Sequence, residues 1–236
     1  MKNTAILTLG VGAAMFATAA YAGMVDDIKK RGELICGVTT GLAGFAAPND
    51  KGEWAGFDVD ICRAVAAGVL GDSMKVKFVP TTGKSRFPTL QSGEVDMLAR
   101  NTTWTFDRDV KLGFEFAGVN FYDGQGFMVP KNSGINSALD LKGATVCVLT
   151  GTTTELNLTD FSRTNKLDIQ PVVFEDSNVR NETYLKGGCD AITNDKSGLA
   201  SNKAGFPDPG AHTILPETIS KEPLGPMVRK GDGQWF

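Results

Sequence analysis

Histidine is almost missing from this chain: His212 is the only one in 236 residues. An imidazole-based metal centre needs several, so none is expected. A Ser–His or Cys–His nucleophilic pair would have to recruit His212 itself. Cysteine is scarce too, with four residues at Cys36, Cys62, Cys147 and Cys189. None of them forms a C-x-x-C pair, which argues against zinc ribbons and thioredoxin-like chemistry. There is no basic run, and the net charge is −3. A mildly acidic chain of this kind is a poor partner for nucleic acid. After the first twenty or so residues no apolar stretch is long enough to span a bilayer.

What is present starts at the N-terminus. Lys2 precedes an apolar run from Ala5 to Ala19, and Ala20-Tyr21-Ala22 has the small-x-small form of a signal-peptidase site. Residues 1–22 therefore read as a cleaved signal peptide, with an exported, soluble chain beginning at Gly23. An even number of cysteines outside the cytoplasm points to disulfides, and four cysteines allow three pairings. Two lie in each half, which favours Cys36–Cys62 and Cys147–Cys189, each worth about 3–4 kcal/mol by the chain-entropy argument. Hydrophobic residues make up 42 % of the chain. That is enough for a real core, and roughly 210 residues suit one large domain or two small ones.

Strands and helices alternate, and then alternate again. Val25–Arg31 reads as a helix stopped by Gly32, and Glu33–Val38 as a strand. Gly41–Asp50 reads as loop. Phe57–Leu70 is the clearest helix, with Ile61, Val65 and Val69 on one face. Lys75–Pro80 (strand), Ser85–Gln91 (helical turn) and Val95–Ala99 (buried strand) follow, then short strands at Gly118–Tyr122 and Gly126–Val129. The second series runs Ser137–Leu141 (helix), Ala144–Leu149 (strand), Thr153–Asn165 (helix), Val172–Phe174 (strand), Asn178–Lys186 (helix), Asp190–Thr193 (strand) and Ser197–Asn202 (helix). Ile214–Leu215 and Met227–Val228 are late strand candidates. This order predicts an α/β protein of two lobes, each a mainly parallel sheet flanked by helices, joined near Gly124–Pro130. Ligands of such sheets bind at the carboxyl ends of the strands, so two facing lobes enclose a cleft.

Three segments at those strand ends carry chemistry. Gly151-Thr152-Thr153-Thr154-Glu155 has capping-box spacing, and its backbone amides open a helix with positive partial charge. Read alone, it is equally an ordinary cap. Arg100-Asn101-Thr102-Thr103-Trp104-Thr105-Phe106-Asp107-Arg108 follows a strand; Thr105 is placed to cap a short turn, and Arg108 offers a two-pronged grip for a carboxylate. Read alone, Arg108 is equally a surface arginine. Thr193-Asn194-Asp195 puts a carboxylate where a helix begins, either as an N-cap or as an acceptor for an ammonium group. Together they suit a zwitterion. Arg108 and the Thr152–Thr153 amides hold the anion; Asp195 holds the cation, with Asn101 and Thr103 assisting.

Gly56-Phe57-Asp58-Val59-Asp60-Ile61, followed by a small-apolar helix, resembles the signature of the bacterial extracellular solute-binding proteins of family 3. The Asp96…Arg108 stretch, Gly151–Glu155 and Thr193–Asp195 recur in that family in the same order. The wording at Asn101–Thr105, Tyr122–Lys131, Thr150–Asn157 and Ile219–Pro226 is similar to its general L-amino-acid-binding subgroup in proteobacteria. The resemblance implies a two-lobed type II periplasmic binding protein with lobe 1 at residues 23–125 plus 225–236 and lobe 2 at 126–224. It implies hinge crossovers near Gly124–Pro130 and Glu222–Pro226. Arg108, Thr103 and Thr153 would grip an amino acid's carboxylate. Asp195 and Asn101 would take its ammonium, Phe45 would cover its side chain and Arg86 would meet an acidic side chain. Members of the family continue past the second crossover, so the resemblance also implies a C-terminal remainder and a first lobe short of part of its core.

The function expected is that of a periplasmic, monomeric substrate-binding protein of an ABC importer. It would capture L-amino acids, with a broad or polar/acidic preference, by cleft closure and deliver them to membrane permease subunits, with no cofactor, metal or catalysis. Two rivals remain: a dehydratase-like enzyme of amino-acid-related acids on the same fold, and a ligand-sensor domain.

Overall fold

In the computed structural model, which describes residues 23–236, two five-stranded sheets carry the chain; the expected signal peptide, residues 1–22, lies outside the described residues. The first sheet runs Val76–Thr81, Leu34–Thr39, Met97–Leu98, Met227–Arg229, Phe114–Phe116. The second runs Gln170–Phe174, Thr145–Leu149, Ala191–Asp195, Gln125–Pro130, His212–Ile214. In each the first three strands are parallel, and the fourth is antiparallel to both of its neighbours. One strand in each sheet therefore opposes the other four.

That reversed strand follows from the chain's route. Phe121–Asp123 pairs antiparallel with Glu222–Leu224, so the two passages between the sheets lie side by side. A chain arriving from this ladder enters at the carboxyl ends of the parallel strands and must run away from them. Gln125–Pro130 does so after the first passage and Met227–Arg229 after the second. The first passage thus lies at Phe121–Asp123, next to Gly124–Pro130, and the strand expected at Gly126–Val129 follows it. Gln125–Pro130 is a full strand with five buried residues. Gly124 and Gly126 are needed there because a Cβ would collide with Thr218 and with the Lys196 side chain.

The helices Phe57–Leu70 and Thr153–Asn165 have the bounds expected of them. Gly56 holds φ +127°, and a Cβ on it would run into the Phe45 carbonyl; Gly71 closes the helix in the left-handed region. The deepest side chains of Phe57–Leu70 are Val59, Cys62 and Ala66, with Ile61, Val65 and Val69 flanking them. The small residues let the helix sit close to the sheet. Ser177–Leu185 starts one residue early because Asp176 caps it, accepting from the Asn178 and Val179 amides at 2.8 and 3.1 Å. Within the expected loop near residue 50 a two-residue hairpin pairs Ala47–Pro48 with Trp54–Ala55.

Each sheet has its own core, and each core has one disulfide. Cys36–Cys62 ties strand Leu34–Thr39 to helix Phe57–Leu70, and Cys147–Cys189 ties strand Thr145–Leu149 to the turn before Ala191–Asp195. Residues beyond the second passage belong to the first sheet again. They supply its fourth strand, and Trp235 packs on its core while its indole donates to the Asp96 carbonyl at 3.2 Å.

Loops of 26 and 42 residues are closed by these bridges. Replacing either cysteine pair by serine is expected to cost about 3–4 kcal/mol. In a chain of this size that lowers Tm by about 10 °C, measurable by thermal unfolding followed by circular dichroism.

Candidate functional site

The carboxyl ends of both sheets face one partly open cavity of ≈ 50 Å³. From the first sheet's side come Arg86, Arg100, Asn101 and Thr103. From the second come Thr152 and Thr153 at one helix start, Asp195 at a strand end, Arg180 on Ser177–Leu185 and Asn202 on Lys196–Ala204.

Asn101 holds φ +31°, in the left-handed region. Its amide donates to the Asp58 carboxylate at 3.0 Å, so the aspartate of the Gly56-Phe57-Asp58 motif fixes the wall of the cavity. Burial raises the Asp58 pKa to about 6, against the lowering effect of that amide and of Arg100. Arg86 is buried over the Phe87 ring and donates to the Thr102 hydroxyl at 3.3 Å and, across the cleft, to the Gly151 carbonyl at 3.2 Å. Burial, then the nearby Arg108 and Arg100, hold its pKa well below the ordinary arginine value.

Further contacts join the two sides. Lys84 pairs with Glu175 at 2.5 Å, the Ser201 hydroxyl donates to the Ala43 carbonyl at 2.7 Å, and the Thr40 and Ser177 hydroxyls stand 3.4 Å apart. Gly83 approaches so closely that a Cβ there would lie 2.8 Å from the Thr150 carbonyl oxygen.

Glu222, on the second passage between the sheets, went unnoticed in the sequence except as part of a hinge. It is buried, and its carboxylate accepts from the hydroxyls of Thr103 at 2.5 Å and Thr153 at 2.9 Å, from the Asn157 amide at 2.8 Å and from Ser220. Thr103 and Thr153, expected to grip a ligand's carboxylate, have both hydroxyls committed to this internal one.

Two expected site residues stand off the cavity. Arg108 is buried behind Thr103, donating to its carbonyl at 2.7 Å, with its guanidinium over the Phe87 ring. Burial lowers its pKa to about 10, while Glu222 and Asp195 act to raise it. Thr105 accepts from the Arg108 amide at 3.3 Å, as the capping reading required. Phe45 does not cover the cavity. Its ring meets Phe121 edge-on, centroids 5.4 Å apart, in an apolar cluster with Leu42 and Leu224 at the crossover. Thr152 caps its helix by accepting from the Glu155 amide at 3.2 Å; the Glu155 carboxylate answers to the Gly151 amide instead of the Thr152 amide.

Among the described residues, six buried side-chain polar atoms have no hydrogen-bond partner, and five belong to residues of the cavity wall. Three are donors: Arg86 Nε, Arg180 Nη1 and Asn202 Nδ2. Two are acceptors: Asn101 Oδ1 and Asp195 Oδ1. Asp195 holds the cap position of helix Lys196–Ala204 but makes no capping bond. Burial first, then Glu222 and Asp123, push its pKa up to about 8, while Arg86 and Arg108 pull it down. Among the described residues no cluster of three or more His, Cys, Asp or Glu side chains stands ready for a metal ion.

Two lobes joined by a paired crossover, with a polar cavity between them, define the type II periplasmic binding proteins. Residues 34–236 match the bacterial extracellular solute-binding proteins, family 3, and the chain belongs to that family. It is 56 % identical over 239 residues to the general L-amino acid-binding periplasmic protein AapJ of Rhizobium johnstonii, covering 100 % of this chain and 70 % of the relative. It is 55 % identical over 235 residues to the glutamate/glutamine/aspartate/asparagine-binding protein BztA of Rhodobacter capsulatus, with the same coverage. Among solved structures, an ABC transporter/periplasmic binding protein from Brucella ovis with glutathione bound superposes with a TM-score of 0.88 at 57 % identity, over 91 % of this chain and 68 % of that one.

A carboxylate whose folded pKa is raised binds a proton in the folded state before it does so in the unfolded one. Stability from this group is therefore lost as pH rises from about 4 towards 8. With the lobes closed as here, Asp195→Asn is expected to be more stable than the parent at pH 8, by at least about 1.4 kcal/mol. The gain should vanish near pH 4, as read by urea unfolding at the two pH values.

Proposed function

We propose that this chain is a periplasmic receptor that closes two lobes on an L-amino acid and delivers it to the membrane permease of an ABC importer. The lobes are residues 23–125 with 225–236, and residues 126–224. One observation carries the reading: the unpaired atoms of the cavity are the complement of a zwitterion. Asp195 Oδ1 and Asn101 Oδ1 await a donor such as an ammonium group, and the guanidiniums await a carboxylate. The similar relatives are named for binding amino acids, and the similar solved structure holds glutathione, which supports the ligand class.

The mechanism follows from the contacts between the sides. A cavity of ≈ 50 Å³ holds only a handful of waters, so a ligand enters when the lobes part about the crossover ladder. Closing removes water from the buried charges, and a ligand bridging both lobes favours the closed state by its differential affinity. A micromolar Kd needs about −8 kcal/mol, within reach of two charge-assisted pairs and several neutral hydrogen bonds. Thr103 and Thr153 share Glu222 at the seam between lobes, and Arg108 holds Thr103 from behind. Arg108 thus adds positive potential for the ligand carboxylate.

The chain acts as a monomeric binder, not a catalyst, in this reading. His212 shares a hydrogen bond with the Tyr184 hydroxyl at 2.9 Å inside the second lobe, away from the cavity, and so is not placed to serve the dehydratase-like alternative.

Arg108→Ala and Asp195→Ala are each expected to weaken amino-acid binding at least tenfold, about 1.4 kcal/mol, by calorimetry; native affinity in either would remove the assignment. Gly83→Ala adds one methyl against the Thr150 carbonyl at the seam and should weaken binding severalfold by obstructing closure, with the ligand-free Tm unchanged.

A further inference from the structure

Arg180 had no signal in the sequence: it sits in a polar helix, Ser177–Leu185, among residues typical of a solvated face. It is nevertheless only 1 % exposed and reaches the cavity wall. Its Nε and Nη2 share one neutral acceptor, Asn181 Oδ1, at 3.3 and 3.0 Å, and its Nη1 has no partner. The carboxylates whose charge acts on it are those of Asp176 and Asp195. Asp176 is committed to capping the same helix, and Asp195 is reserved for the ammonium group in the reading above. Asn202 Nδ2, from the neighbouring helix Lys196–Ala204, is a second unpaired donor on this side.

The charge count runs the same way. Three buried guanidiniums, Arg86, Arg100 and Arg180, line the cavity against two carboxylates, buried Asp195 and exposed Glu175, the latter already paired with Lys84. Asp58 offsets Arg100 from behind the wall. A simple zwitterion brings one carboxylate and cannot satisfy donors on both lobes while its ammonium meets Asp195.

We propose that Arg180 is a specificity-determining residue that takes a second carboxylate of the ligand, with Asn202 assisting, so that the receptor prefers acidic amino acids to neutral ones. The proposal rests on the amino-acid receptor reading and deepens it. A planar guanidinium matches a carboxylate in two-pronged fashion, which an amide of the same shape does not reproduce.

The test is calorimetry of the full chain with L-glutamate and its neutral isostere L-glutamine, for the parent, Arg180→Met and Arg180→Lys. The parent should bind glutamate at least tenfold tighter than glutamine. Arg180→Met should weaken glutamate at least thirtyfold and leave glutamine within threefold. Its ligand-free Tm should not fall, because an unpaired buried charge is removed. Arg180→Lys, which keeps the charge but loses the fork, should lower the glutamate-to-glutamine ratio at least threefold. A parent without preference, or variants that weaken both ligands equally, would overturn the assignment of Arg180 alone. If Arg180→Met does not fold, an unchanged ratio in Arg180→Lys overturns it equally. Binding of no amino acid by the parent would defeat the receptor reading and this inference with it.

Discussion

Charge withdrawn from water where two sets of strand ends meet is the constraint that shapes the cleft. Arg86, Arg100, Arg108 and Arg180 are buried around it, as are Asp58, Asp195 and Glu222. An uncompensated buried ion costs several kcal/mol. Some of these charges are matched internally: Glu222 by three hydroxyls and an amide, Asp58 by a backbone amide and Arg100. Others are left short. Such a deficit is small wherever water reaches the charge and large where closure excludes it. A ligand that supplies the missing partners removes the deficit only in the closed state, which is the differential affinity that drives closure.

The route of the chain makes this arrangement possible. Both passages lie side by side, and each feeds a strand that must run away from the cleft. The carboxyl ends of the parallel strands in both sheets therefore point at the same gap. Glu222 belongs to one of those passages. Its carboxylate collects Thr103 from one sheet's side and Thr153 and Asn157 from the other. These bonds form together only when the lobes meet, so the crossover is also a gauge of closure. Thr103 is in turn held by Arg108, which places the motif arginine one step behind the surface that a ligand touches.

Legibility in the sequence followed how local the determining physics was. The bounds of Phe57–Leu70 and Thr153–Asn165 were readable because glycine at one end and a threonine cap at the other are signals carried within a few residues. The disulfide pairing was readable from the division of cysteines between halves. Asn101, Thr103, Thr152, Thr153 and Asp195 were readable as strand-end residues, Arg86 only through the family resemblance, and all six meet at one cavity. Position within that cavity was not. Phe45 turned to the crossover because Phe121, 76 positions away, offers the better apolar contact. Arg180 is hidden in a helix of polar composition, and only the packing of that helix against the second sheet buries it. Glu222 lay in a segment read for its hinge role, and nothing local says that its carboxylate is the hub of four donors. The Gly126–Val129 strand was readable from its own apolar residues, and the passage beside it lies within three residues of Gly124.

Asp195 shows most clearly how a local rule and a functional demand separate. Its position, backbone conformation and residue type all suit an N-cap, and an ordinary cap bond contributes about 1 kcal/mol. The bond is not made. The carboxylate is instead buried without a partner for Oδ1, in the field of Glu222 and Asp123, where ionisation is disfavoured. A residue that forgoes a stabilising bond within reach and accepts a costly environment is out of keeping with folding alone. Such local inconsistency concentrates where function imposes its own geometry. An ammonium group brought between the lobes would supply the missing donor, oppose the neighbouring negative charges and favour the ionised form, offsetting the cost of burial. The atom that folding leaves unpaired, Asp195 Oδ1, is the one that the proposed ligand would pair.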